Sequence, residues 1–177
     1  ALLVFAFLAA LIVITFIDLD HQIIPDAISL PGIFVGFAAA LLFGAPTWSD
    51  SLIGILLGGG LLWAVAAGYE RLTGREGMGG GDIKLLAMIG AFLGWQAIPS
   101  VIIIASLTGS VAGLLAMLDR PARRRIGRIH RRLGAPAVVV SLRRASRRTE
   151  IPFGPFLALG AVAVLFGPEL TLPLELL

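Results

Sequence analysis

The stretch ALLVFAFLAALIVITFIDLD, residues 1–20, decides the fold of this chain. No charged residue occurs in 1–17, and Asp18 and Asp20 follow directly. A helix needs about 17–25 mainly apolar residues to cross the hydrocarbon core of a bilayer. The stretch therefore predicts a transmembrane helix over 1–17 that ends at an acidic interface. A signal peptide fits poorly because no basic region precedes the run, so we expect a fragment or a processed chain.

Further apolar segments of this kind follow along the chain. Of its 177 residues, 58% are hydrophobic and 14% are charged, and the mean hydropathy is +0.96. Soluble domains average about 45–50% apolar and about 25% charged residues. The composition therefore predicts an all-α, polytopic membrane bundle of about six transmembrane helices, forming a single domain over 1–177. The five later segments are 27–43, 51–69, 83–93, 98–118 and 152–166.

The basic residues predict the orientation of these helices. Segment 119–150 holds eleven of the fourteen Lys and Arg residues. Cytoplasmic loops of membrane proteins carry an excess of Lys and Arg, so this segment is expected to be a cytoplasmic loop. Counting back two helices at a time places loops 70–82 and 18–26 on the same side. The opposite loops, 44–50 and 94–97, carry no Lys or Arg, as this orientation requires.

The composition also limits the partners and cofactors of the chain. The chain has no cysteine, which excludes disulfides, and two histidines are too few for a typical zinc site. No metal and no cofactor are therefore expected. The Arg-rich segment has no aromatic residue for base stacking, which argues against nucleic acid as a partner. Ile126, Ile129 and Leu133 recur there at helical spacing, so a solvated loop and a surface helix on anionic lipid both remain open.

Four aspartates fall at the predicted cytoplasmic boundary: Asp18, Asp20, Asp26 and Asp82. Two carboxyl groups brought close together cannot both ionise easily, so they share a proton. The ionised member then activates a water molecule, and the protonated member polarises a carbonyl. The alternative is structural, because Asp is a good N-cap and both Asp26 and Asp82 precede apolar helical segments.

Residues 74–84, GREGMGGGDIK, place a glycine-rich segment before Asp82. A P-loop is excluded because no Gly-Lys pair occurs, and the dinucleotide-binding pattern fails at its last glycine. Without Cβ atoms, Gly79 and Gly81 allow an extended substrate to approach the backbone beside Asp82. A flexible linker is the alternative. Lys84 is expected to contact substrate or to extend toward the membrane interface, since a pair with Asp82 two residues away is disfavoured on a helix.

Three segments together resemble the prepilin peptidases, which are bacterial type IV leader peptidases within the wider G-x-G-D group of membrane aspartic proteases. They are IDLDHQIIPD (17–26), EGMGGGDIKLL (76–86) and IPFGPF (151–156). The resemblance implies that Asp18, seven residues before Pro25, and Asp82 are the catalytic pair. Asp20 is the rival for the first role. Supporting or substrate-binding roles are assigned to Asp20, Asp26, Gly79, Gly81 and Lys84. Prolines at a helix start explain the third segment without chemistry.

The resemblance also implies an activity and a location. Family members remove the leader of type IV prepilins and pseudopilins after a glycine, on the cytoplasmic side of the bacterial inner membrane. Many also N-methylate the product through a region with Cys-x-x-Cys motifs, which is not expected here because the chain has no cysteine. Two alternatives remain open. One is a small ion or proton transporter that uses the same acids, and the other is a non-catalytic scaffold of a secretion complex.

Overall fold

The computed structural model describes residues 2–74, 79–118 and 152–167. Within these ranges the chain is helical and contains no strand, so the predicted all-α fold is confirmed. Segment 119–150, for which the Arg-rich loop and its lipid contact were predicted, lies outside the described residues. The described residues form six helices, namely α1 (Leu2–His21), α2 (Asp26–Phe43), α3 (Trp48–Thr73), α4 (Gly80–Leu93), α5 (Ala97–Leu118) and α6 (Gly154–Phe166).

The chain divides into two compact units. The first unit comprises residues 1–106 and 152–177 and contains α1 to α4, the first part of α5, and α6. The second unit comprises residues 107–151, of which the structure describes the end of α5. All the site residues described below belong to the first unit. That the chain forms a single domain over 1–177 stays a prediction.

Four of the described helices, α1, α2, α3 and α5, are long and apolar enough to cross a membrane. Their large apolar side chains point outward to a great extent; Phe5 is 70% exposed and Phe16 is 63% exposed on α1. Such faces suit contact with lipid tails rather than water. The helices α4 and α6 have 14 and 13 residues. At about 1.5 Å per residue they are about 20 Å long, which is shorter than the hydrocarbon core.

The helix ends differ from the sequence prediction at the acidic residues. Helix α1 continues past residue 17 to His21, so Asp18 lies in its last turn, and Gln22 follows with a φ of 55°. Helix α2 begins at Asp26, and α4 begins at Gly80, which places Asp82 in the first turn of α4. The residues at the two N-cap positions are Pro25 and Gly79, and neither cap uses a side-chain hydrogen bond. Asp26 and Asp82 are therefore not N-caps.

Helix α4 occupies the centre of the first unit. Every residue from Leu85 to Ala91 is buried, and α4 packs against α2, α3 and α6. The contact with α3 depends on Gly54 and Gly58, since a Cβ atom at either position would overlap the backbone of α4. Small residues allow helices in a membrane to approach in this way. This packing fixes α4 and therefore fixes Asp82 at its first turn.

Candidate active site

Asp18 is the most strongly buried acid at the end of α1. Its side chain is 5% exposed, whereas Asp20 two residues later is exposed. Residues two apart on a helix point in different directions, which explains this contrast. The backbone N–H of Gly154, at the start of α6, donates a hydrogen bond to Asp18 Oδ2 at 3.1 Å. Asp18 is therefore buried where its rival Asp20 is exposed, and the choice of Asp18 as the first catalytic residue stays a prediction.

Asp82 is partly buried in the first turn of α4 and lies within electrostatic range of Asp18. Burial, together with the negative charge of Asp18, raises the pKa of Asp82 to about 6. Loss of solvation disfavours the charged form of a carboxyl group, and a second negative charge nearby does the same. No hydrogen bond from the described residues reaches the Asp82 side chain. Asp18 thus acts on the ionisation of Asp82, and the two acids are called here the Asp pair.

The connection between α1 and α2 completes the site through Ile24. A Cβ atom at Gly81 would lie 2.8 Å from Ile24 Cβ. A Cβ atom at Gly154 would lie 2.5 Å from Asp18 Oδ2 and 3.3 Å from Ile24 Cδ1. The end of α1, the residues before α2, the start of α4 and the start of α6 therefore meet at one place. These are the three segments that carried the resemblance.

Lys84 pairs with Asp26 beside this site. Lys84 Nζ lies 2.6 Å and 2.7 Å from the two carboxylate oxygens of Asp26. The pair joins the first turns of α2 and α4 at a position that solvent reaches. The sequence analysis singled out both residues but did not predict the contact between them. Neither residue bonds to Asp82 in the part of the chain that the structure describes.

The glycines before Asp82 differ in their surroundings. At Gly79 and Gly80 no heavy atom lies within 4 Å of the place where a Cβ atom would be. At Gly81 that place is filled by Ile24. Gly79 is therefore open, as substrate approach requires, whereas Gly81 allows close packing. Residues 75–78 of the glycine-rich segment lie outside the described ranges.

Gly154 is the residue that the sequence analysis missed. The prolines around it were interpreted as a helix start, and the structure does place Pro155 at the beginning of α6. The first N–H groups of a helix have no partner within the helix. The sequence could have indicated Gly154, because a glycine at a helix start offers a backbone N–H without a partner in the helix and leaves room for a neighbouring side chain.

The Asp pair has the chemistry of a general acid and a general base. Two interacting carboxyl groups titrate as a unit, so one is protonated while the other is ionised over a range of pH. Such a pair can accept a proton from water and donate one to a carbonyl oxygen. Across the described ranges, no cluster of three or more His, Asp or Glu side chains has an arrangement suited to a metal ion.

Comparison with known proteins identifies the family. The model of the type IV leader peptidase family matches residues 5–114, which is more than half of the chain. The chain therefore belongs to the type IV leader peptidase family. No solved structure was found to match it.

Several curated bacterial proteins are similar to the chain, each called a prepilin leader peptidase/N-methyltransferase. The one from Aeromonas salmonicida is 38% identical over 162 residues, which cover 91% of this chain and 48% of the relative. That from Pseudomonas aeruginosa is 36% identical over the same share of each chain. That from Burkholderia pseudomallei is 36% identical over 166 residues, covering 94% and 46%. The chain spans about half the length of these relatives. Family and helices together point to a multi-pass protein of the bacterial inner membrane.

Proposed function

We propose that this chain is the peptidase part of a membrane aspartic endopeptidase that removes the leader peptide of type IV prepilins or pseudopilins. The observation that carries the proposal is that the segments holding Asp18 and Asp82 converge on Ile24, with the charge of Asp18 acting on Asp82. Asp18 is buried and Asp82 is partly buried, and the charge of Asp18 lowers the tendency of Asp82 to ionise. The names of the relatives supply the substrate class.

The reaction uses the Asp pair as one unit that holds one proton. The ionised carboxylate takes a proton from a water molecule, and the water oxygen forms a bond to the scissile carbonyl carbon. The protonated carboxyl group donates its proton to the carbonyl oxygen. In the resulting gem-diol, the pair donates its one proton to the leaving nitrogen and accepts a proton from a hydroxyl group as the C–N bond breaks. A carboxyl product and an amine form, and the pair again holds one proton.

The finer features of the activity follow from the resemblance and from the predicted topology. Cleavage after a glycine, on the cytoplasmic side, requires the Asp pair to face the cytoplasm. The hydrogen bond from Trp95 Nε1 to Asp50 supports the relative placement of the loops, because it joins 44–50 to 94–97. N-methylation is not part of the proposal for residues 1–177, since the chain has no cysteine for the associated motifs.

Ion transport by the same acids is less well supported. A transport path predicts ionisable groups near the middle of the membrane. In the described helices, the charged side chains lie in or beside end turns, as Asp18, Asp50, Arg71 and Lys84 illustrate. Acids confined to helix ends suit a site at an interface, where a soluble leader segment meets the membrane.

Cleavage of a purified prepilin by the detergent-solubilised chain tests the proposal. Asp18→Asn and Asp82→Asn are each expected to lower the rate by a factor of about 10² to 10⁴, the range for loss of a general acid or base. Asp20→Asn is the matched control, because Asp20 is exposed at the end of the same helix. It is expected to keep the wild-type rate to within about twofold, since no proton transfer depends on it.

Each alternative has its own result. Retained cleavage by Asp18→Asn, with loss in Asp20→Asn, would transfer the role to Asp20. Retained cleavage by Asp82→Asn would remove the dyad from the mechanism. Absence of cleavage by the unmodified chain, with a family relative cleaving the same prepilin in parallel, would refute the activity for these residues.

A further inference from the structure

Ile24 and Ile23 are neighbours in the short connection between α1 and α2, yet their environments are opposite. Ile24 is 7% exposed, and Ile23 is 63% exposed. Ile24 belongs to the buried core of the first unit. This buried apolar side chain lies beside Gly81, which precedes Asp82, and beside Gly154, which donates a hydrogen bond to Asp18.

Ile24 lies between the two glycines of the site. Its Cβ faces Gly81, where an added Cβ atom would be 2.8 Å away. Its Cδ1 faces Gly154, where an added Cβ atom would be 3.3 Å away. Ile24 is therefore in contact with two backbone segments through the two ends of one side chain. At both contacts the facing residue is a glycine, which has no side chain.

Each of these backbone segments carries one member of the Asp pair. Gly81 is joined to Asp82 by a peptide bond, and Gly154 donates its N–H to Asp18 Oδ2. Resting on the proposed function, we infer that Ile24 is a positioning residue whose side chain sets the separation of Asp18 and Asp82. Its volume prevents the start of α4 and the start of α6 from moving together.

The separation matters because proton sharing and water activation depend on distance. A misplacement of about 1 Å by a residue away from the reacting atoms can cost about a hundredfold in rate. In a densely packed interior, removal of a side chain causes the neighbouring segments to shift. The glycines at 81 and 154 offer no side chain that would resist this shift.

A purely structural role for Ile24 makes a different prediction. Any buried Ile→Ala change removes apolar contacts and leaves a cavity, so it lowers stability. Ile89 is a matched control, because it is 0% exposed and lies on α4, well along the helix from Asp82. Ile23 is a second control of the same residue type in the same segment.

The first test is steady-state cleavage of a prepilin by the full chain in detergent. Ile24→Ala is expected to lower kcat by about ten- to a hundredfold with KM within about threefold, because it disturbs the pair rather than substrate binding. Ile24→Val keeps the Cβ but loses the Cδ1 that faces Gly154, so a smaller loss is expected. Ile23→Ala and Ile89→Ala are expected to keep kcat within about threefold. A loss confined to KM, or an equal loss in Ile89→Ala, would overturn the inference.

The second test measures separation without activity. The chain has no cysteine, so Asp18→Cys with Asp82→Cys provides one defined thiol pair. Thiol-reactive cross-linkers of graded length then report the spacing. Adding Ile24→Ala is expected to favour the shorter reagents by about threefold or more, because the neighbouring segments relax into the cavity. Unchanged preference, or a shift toward longer reagents, would overturn the inference.

The two proposals fail in different ways. Absence of prepilin cleavage by the unmodified chain, with the cross-linking shift present, refutes the peptidase activity and leaves Ile24 as the spacer. Normal cleavage that depends on both aspartates, with no effect of Ile24→Ala in either test, refutes the role of Ile24 alone. Melting temperatures of all variants show whether a loss is due to unfolding.

Discussion

The two ends of the first unit hold carboxylates in contrasting states. At one end, each oxygen of Asp50 accepts a hydrogen bond, one from Trp95 Nε1 at 3.0 Å and one from Thr47 Oγ1 at 2.6 Å. At the other end, Asp18 accepts one backbone hydrogen bond, and Asp82 is close enough to Asp18 for its pKa to rise. The satisfied carboxylate joins two loops. The Asp pair accepts fewer hydrogen bonds, and a perturbed pKa of this kind supports the proposed proton exchange.

Outside the Asp pair itself, the largest effect is expected from a change that breaks the single hydrogen bond to Asp18. A Cβ atom at Gly154 would meet Asp18 Oδ2 at 2.5 Å, so Gly154→Ala must displace the carboxylate. We expect a loss of about a hundredfold in kcat/KM, because the displaced Asp18 no longer faces Asp82 correctly. Prepilin cleavage measures it. Gly60→Ala is the control, since nothing lies near its Cβ position, and a comparable loss there would show that the effect is not local.

The second prediction concerns the pH dependence of the Asp pair. With a pKa of about 6, Asp82 retains its proton at pH values where an ordinary aspartate is ionised. We expect log(kcat/KM) to follow a bell-shaped curve whose alkaline side reflects loss of the shared proton, with about tenfold loss per pH unit. A rate that is constant from about pH 4 to about pH 9 would contradict proton sharing.

The third prediction concerns the free energy of unfolding, which Asp82→Asn and Asp50→Asn are expected to change in opposite directions. Because the folded state raises the pKa of Asp82 from 3.8 to about 6, it binds a proton that the unfolded chain has lost, and stability falls as pH rises between those values. Asp82→Asn, which cannot ionise, is therefore expected to be more stable than wild type at pH 7, by at most about 3 kcal/mol. At pH 3 we expect no such gain. Chemical denaturation in detergent at the two pH values measures this difference.

Asp50→Asn is the experiment at the opposite end of the first unit that corresponds to Asp82→Asn. An amide is neutral and has one acceptor oxygen, so Asp50→Asn loses at least the charge assistance of the hydrogen bonds that Thr47 and Trp95 donate. We expect a loss of about 1 kcal/mol in stability with cleavage unchanged to within about twofold. A gain in stability for Asp50→Asn, or a loss for Asp82→Asn at pH 7, would remove the distinction between the two ends.

The smallest effect is expected for the ion pair between Lys84 and Asp26. Solvent-exposed ion pairs contribute about 0–1 kcal/mol. Lys84→Met is therefore expected to lower stability by less than about 1 kcal/mol and to lower kcat by no more than about threefold. The exchanged variant, Asp26→Lys with Lys84→Asp, is expected to restore most of the loss. Restoration would assign the pair a structural role, whereas a large loss that exchange does not restore would give Lys84 a direct role toward substrate.

Sequence reasoning located the helices because each depends on a local property, the length of an apolar run. It placed α1, α2 and α5 close to their observed ranges, and it selected Asp18 and Asp82 through their flanking motifs. Helix ends were less predictable, because α1 continues through Asp18 to His21 although the chain becomes polar there. The hydrogen bond that Gly154 donates joins residues that are 136 positions apart. No local pattern encodes such a contact.

The sequence by itself determined that this is a helical protein suited to a membrane and that its acids fall at helix ends, since hydropathy and charge act residue by residue along the chain. Only the tertiary structure decided which of those acids are buried together. Packing of α1, α4 and α6 around Ile24 buries Asp18, leaves Asp20 in solvent and brings Asp82 within reach. Burial and proximity arise from the packing of distant segments, and these two quantities raise the pKa of Asp82 above that of a surface carboxyl group.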